Sequence, residues 1–167
     1  MRRWSALAAA AVVAIASPAL ADPSAEHPGE EAVKPYVESN ANAGAKPMSD
    51  QAMLRAFHGK DGIGRISAAL VDRAAADPRI AEIFKAQDLV RLKRTLAEQI
   101  CYLLGGGCDY SGRDMAAAHA DLGIQNADFN ALVEDLQWAM SREGVPFRAQ
   151  NRLLAKLAPM QKTVVQR

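Results

Sequence analysis

Alternating strand patterns are missing from this 167-residue chain, and aromatic residues make up only 5% of it. A β-sheet, whose faces favour β-branched and aromatic side chains, has little to build from. Charge of one sign is missing too. Twenty basic and nineteen acidic residues leave a formal charge of +1, and no run of Lys or Arg occurs. That removes the electrostatic case for a nucleic-acid partner. The one apolar run, Ala6 to Ala16, is too short to span a bilayer comfortably, and Pro18 interrupts its end. Cysteine is scarce, with two residues in all. What the chain does have is length for one domain with a real core, half its residues apolar, and abundant alanine, which favours helix.

The organisation along the chain is tripartite. Arg2 and Arg3, the apolar run, and the small-x-small Ala19-Leu20-Ala21 read as an exported leader, residues 1–21, cleaved after Ala21 rather than kept as an anchor. The predicted destination is the periplasm, with no stable membrane anchor; Trp4-Ser5-Ala6 after the arginine pair fits twin-arginine export poorly. Residues 22–50 hold six acids, two lysines and Pro23, Pro28, Pro35 and Pro47 with few large apolar side chains, and read as a disordered acidic linker. His27 within it reads as a solvated tail residue, with a metal role as the other reading. Residues 51–167 carry a net +3 and the helical patterning.

In that domain Ile63, Ile66, Leu70 and Ala74 fall at helical spacing over 62–76. Asp77-Pro78 is a favoured opening for a short helix through Ile80, Ile83 and Phe84. Asp88 caps a longer stripe of Leu89, Leu92, Leu96, Ile100 and Leu103, which the triplet Gly105-Gly106-Gly107 ends. Asn126 is the expected cap for Phe129, Leu132, Val133, Leu136 and Met140. Gly144 ends that helix, Pro146 opens the last with Leu153, Leu154, Leu157 and Val164, and Pro159 should kink it. The expected class is all-α.

Between the two halves lies His119. Ser111-Gly112-Arg113-Asp114 reads as a capping-box variant opening a helix of barely two turns that Gly123 ends. The alanines beside His119 leave room for something flat and large, and a neutral imidazole is a good iron ligand. A histidine alone on a short helix is more often a packed or surface residue, so its setting must decide.

That setting resembles the truncated haemoglobins of group 1 over roughly residues 52–165. The resemblance rests on Asp77-Pro78-Arg79-Ile80 with Phe84, Leu92-Lys93, Gly105-Gly106, Tyr110-Ser111-Gly112-Arg113-Asp114-Met115, His119 with Leu122-Gly123-Ile124, and Gly144-Val145-Pro146. It implies a two-over-two helical sandwich, with B and E helices at 62–76 and 88–104 and G and H helices at 126–143 and 146–164. It departs at Phe57-His58-Gly59-Lys60-Asp61-Gly62, where the family often has paired glycines; His58 there reads as an exposed turn residue.

The resemblance further implies one non-covalent haem b per chain, since no CxxCH is present, with His119 as the proximal iron ligand and its other ring nitrogen donating to a backbone carbonyl. The implied cofactor walls are Leu89, Leu92, Lys93, Leu96, Met115, Leu122, Ile124, Phe129 and Leu132. Arg91, Lys93 and Arg94 are either propionate partners or a solvated basic face. Where many group 1 members carry a distal tyrosine and glutamine, this chain has Val71 and Leu96. With Leu70 and Leu92 they leave Gln99 as the candidate distal donor. Cys101 and Cys108 are most simply a disulfide in an oxidising compartment, with free thiols or a redox switch as the alternatives. The expected function is reversible binding of diatomic gases (O₂, NO, CO) for carriage, sensing or scavenging. The alternative is a haem enzyme, oxidising nitric oxide or peroxidase-like, that would need an electron-donating reductase.

Overall fold

A computed structural model describes residues 27–166. The leader, residues 1–21, and the first residues of the acidic segment lie outside the described residues. Every regular element described is helical: α1 Gln51–Ala56, α2 Gly59–Ala76, α3 Ala81–Phe84, α4 Leu89–Leu103, α5 Met115–His119, α6 Asn126–Arg142, α7 Phe147–Leu157 and α8 Gln161–Val164, with 3-10 turns at Asn40–Ala43 and Ala158–Met160. Among the described residues no helix is long and apolar enough to cross a membrane.

The long helices form where one apolar stripe can be buried. Ile63, Ile66, Leu70 and Val71 of α2 turn inward, and α2 packs chiefly against α4 and α6. One core joins Phe57, Ile63, Ile66, Ile100, Leu104, Met140 and Leu153 across α1, α2, α4, α6 and α7. A smaller one gathers Ala74, Ile80 and Ala131, with Ile83 and Phe84 of α3 against it. Burying side chains of this size stabilises the fold by about 1.5–3 kcal/mol each.

Helix ends follow local chemistry, with four corrections. Two of them are that α5 ends at His119, with Ala120 as its cap, rather than at Gly123, and that α3 begins at Ala81, after Ile80, rather than at Asp77-Pro78. Asp88 caps α4 as expected, its carboxylate accepting from the Arg91 backbone N–H at 3.0 Å. Helix α5 starts later than the Ser111 reading: Asp114 is the cap and accepts from the Ala117 N–H at 3.0 Å. Ser111 is drawn away instead, its hydroxyl donating to Glu98 at 2.6 Å. For α6 the cap is Gln125 rather than Asn126, with Asp128 accepting from the Gln125 backbone N–H at 2.9 Å. Pro159 interrupts the last helix as expected, leaving a 3-10 turn between α7 and α8.

The largest correction concerns the acidic segment. Residues 27–50, expected to be disordered, lie along the domain. The Glu30 carboxylate, 2% exposed, pairs with Arg94 and Arg91. The Glu31 N–H donates to Asp88 at 2.8 Å, the Tyr36 hydroxyl donates to the Ser111 carbonyl at 2.8 Å, and Asn40 accepts from the Tyr110 N–H at 2.7 Å. A composition poor in apolar residues signals disorder only when polar groups lack partners; here charge-assisted and buried hydrogen bonds replace apolar burial.

Candidate functional site

The chemistry of this molecule gathers around an apolar cavity of about 250 Å³ enclosed by α2, α3, α4, α5, α6 and α8. Leu70 and Val71 come from α2, Leu92, Leu96 and Gln99 from α4, Met115 and His119 from α5, Leu122 and Ile124 from the loop after it, and Phe129 and Leu132 from α6. These are most of the residues expected there. Sequence reading missed Ile80, just before α3, and Ile83 and Phe84 within it, together with Tyr110, Met160 and Val164. Ile80, Ile83, Phe84 and Val164 were visible in helical stripes as ordinary core, whereas Tyr110 and Met160 lie in a loop and a 3-10 turn. Only the packing of α3 and α8 against the same space makes them walls.

His119 sits at the last position of a five-residue helix. Its Nδ1 lies 2.7 Å from the Met115 carbonyl, one turn back, so the ring donates from Nδ1 and keeps Nε2 as the basic nitrogen. The helix is held by its surroundings. The Gln166 side chain donates to the His119 carbonyl at 2.7 Å and accepts from the Gly123 N–H at 3.1 Å. Gly123 takes φ +63, the left-handed turn that ends this stretch.

The loop leading into α5 is braced as well. Cys101, buried in α4, and Cys108 form a disulfide with Cα atoms 5.8 Å apart. The Tyr110 hydroxyl folds back to donate to the Arg113 carbonyl at 3.1 Å, and a Cβ on Gly112 would lie 2.2 Å from the Tyr110 hydroxyl oxygen, so glycine is what fits there. Burial pushes the Tyr110 phenol up to about 12, so it stays protonated at neutral pH.

Three expectations are corrected here. Leu89 does not line the cavity. Arg91, Lys93 and Arg94 do not line it either: Arg91 and Arg94 are taken by Glu30, Arg94 also by Glu98 and Ser111, and the Lys93 ammonium lies 2.6 Å from Asp72. The Arg94 guanidinium, by hydrogen bond and charge, holds the Glu30 carboxyl below the ordinary carboxylate range. Gln99 does line the cavity, but one N–H of its amide donates to the Ala43 carbonyl at 3.0 Å and the same nitrogen lies 3.6 Å from the Met115 sulfur. His58, in a left-handed turn, is exposed and faces Glu143 at 3.3 Å. His27 belongs to no metal-binding cluster of three or more His, Cys, Asp or Glu among the described residues.

These features fit a haem: apolar walls and an imidazole whose tautomer is set by a backbone carbonyl.

The chain is similar to several known proteins. The bacterial-like globin family model matches residues 53–166. A group 1 truncated haemoglobin of Tetrahymena pyriformis is 32% identical over 73 residues, 44% of this chain and 60% of that relative's length. One from Nostoc commune is 30% identical over 87 residues, 52% of this chain and 74% of the relative. Among solved structures, the truncated haemoglobin of Tetrahymena pyriformis in its Fe(III) form superposes with a TM-score of 0.66 at 23% identity, covering 69% of this chain and 98% of the other. The 2/2 haemoglobin of Synechococcus sp. PCC 7002, in the cyanomet state with covalently attached haem, gives 0.64 at 21% identity with the same coverage. The all-helical fold is thus that of the truncated haemoglobins, and the chain belongs to the bacterial-like globin family.

Proposed function

We propose that this globin binds one haem b non-covalently in the cavity, with His119 as axial base, and that the bound group takes up diatomic gases reversibly. The observation that carries the proposal is the His119 Nδ1 contact with the Met115 carbonyl, which leaves Nε2 as the ligating nitrogen on an apolar wall. His119 would hold the haem, which would supply the iron chemistry for taking up a diatomic gas such as O₂, NO or CO. The chain's own part is to exclude water and to orient the base. Leu70, Val71, Leu92 and Leu96 present methyl groups rather than donors, a setting that favours CO or NO over a strongly polarised O₂.

Carriage, sensing or scavenging of such gases follows from that setting. The enzyme reading, nitric oxide oxidation or peroxidase-like chemistry with a reductase as donor, gains nothing from these four side chains, none of which transfers a proton. Export to the periplasm is part of the proposal. The Cys101–Cys108 disulfide supports it, since such bonds persist in oxidising compartments.

The test is an absorption spectrum of the purified chain titrated with haem. A sharp Soret band saturating at one haem per chain, and its loss in His119→Ala, is the expected result. No Soret shift, or the same spectrum in His119→Ala, overturns the assignment.

A further inference from the structure

The residue expected to meet a gas ligand holds a different partner. Gln99 is 6% exposed, and its amide nitrogen donates to the carbonyl of Ala43, a residue 56 positions earlier that is itself fully buried. The same nitrogen lies 3.6 Å from the Met115 sulfur and 3.8 Å from that of Met160. Gly44 follows at φ +83, and a Cβ there would stand 3.2 Å from Met115 Cγ and 2.9 Å from Met160 Cε. A side chain would therefore meet both methionines and a backbone conformation that L residues avoid.

Ala43 and Gly44 are thus seated on the helix that carries His119. The segment around them is stitched to the loop that enters that helix. Tyr36 bonds the Ser111 carbonyl and lies 5.1 Å from the Arg113 guanidinium, Asn40 takes the Tyr110 N–H, and Asn42 donates to the Gly112 carbonyl at 3.2 Å. Helix α5 is only five residues long, too short to hold its own orientation by intrahelical bonds. Its Met115 carbonyl is nonetheless the atom that sets the His119 ring.

We propose that Gln99 is a positioning residue for His119: by holding the Ala43 carbonyl it seats the N-terminal segment against Met115, and the seated segment fixes the short helix whose carbonyl orients the imidazole. Gln99 therefore governs haem retention from the His119 side of the cavity rather than donating to a bound gas. This rests on the haem reading above, and the experiment separates the two.

The full chain is compared with Gln99→Leu and Gly44→Ala, which attack the joint from opposite sides, with far-UV helicity checked for each. In ligand-free protein the readouts are cleavage by a glutamyl endopeptidase after the exposed Glu38 and the His119 ring tautomer from imidazole ¹⁵N shifts. In haem-loaded protein they are haem loss to an excess of apoglobin acceptor and the O₂ dissociation rate. Both variants are expected to speed cleavage, mix the tautomers and accelerate haem loss about ten-fold, as loss of support behind a ligating histidine does. Combining them should add little, because they break one joint.

Faster cleavage with an unchanged tautomer and unchanged haem loss overturns the proposal. So does unchanged cleavage in Gln99→Leu, and so does a change in O₂ dissociation alone, which makes Gln99 a gas donor. A wild-type chain that takes up no haem sinks the haem reading, while cleavage and tautomer still decide whether Gln99 positions His119.

Discussion

The two walls of the cavity are built by opposite means. The wall formed by α2 and α4 is made of helices of 18 and 15 residues whose apolar stripes bury themselves. The wall that carries His119 rests on a five-residue helix held by a disulfide, by the acidic segment and by Gln166. A long amphipathic helix is positioned by its own packing, whereas a single turn must be tied from outside by bonds between residues distant in sequence. Chemistry follows the same division. The basic nitrogen sits where polar ties are dense, and the α2–α4 wall is mostly Leu70, Val71, Leu92 and Leu96, with Gln99 bonded to Ala43.

This difference can be broken from the His119 side first. Reducing the disulfide, or Cys101→Ser with Cys108→Ser, should cost about 2–3 kcal/mol of stability for a loop this short. The loss should also appear as faster hydrogen exchange in residues 105–119 while α2 stays protected. Denaturant unfolding and exchange mass spectrometry check it; uniform loss of protection contradicts a local tie.

The other wall is sharpened by giving it what it lacks. Leu96→Gln introduces a donor among Leu70, Val71 and Leu92 and should slow O₂ dissociation up to about ten-fold, the equivalent of one hydrogen bond, while CO dissociation changes less. Stopped-flow ligand displacement measures both, and equal changes for the two gases count against an apolar wall.

The smallest effect concerns Glu30. Its carboxyl is held below the ordinary 4.5 by the Arg94 guanidinium and, to a lesser degree, by Arg91 and His27. A depressed folded-state pKa means that the stabilisation is fully present above that ordinary value and fades as pH falls through the lower, folded one. Wild type should therefore release the segment on acidification below about pH 4.5, seen as faster proteolysis. Glu30→Gln should lose about 1 kcal/mol at neutral pH and flatten that part of the profile.

The same division explains what the sequence made readable. The α2, α4 and α6 stripes and the Asp88 cap are local patterns, and the structure has them. The contacts that were missed join residues far apart: Glu30 with Arg94, Asn40 with Tyr110, and Gln99 with Ala43. Nothing in a window of a few residues reports them. The three cations near the start of α4 looked available because their carboxylate partners, Glu30 and Asp72, come from the acidic segment and from α2. The late start of α5 has the same origin, since Ser111 is bonded to Glu98 of α4 rather than capping its own helix. Fold class, carried by periodicity, could thus be read from the chain, while the supports of the site, carried by tertiary polar bonds, could not.

The central claim is that His119 supplies the iron ligand from a wall that the rest of the chain holds in place. Its most direct test is His119→Gly titrated with haem, with and without free imidazole. If the cavity stands and only the base is gone, the wild-type spectrum disappears in the variant and returns when imidazole is added. A wild-type spectrum in His119→Gly without imidazole would contradict the account, because another residue would then be the ligand.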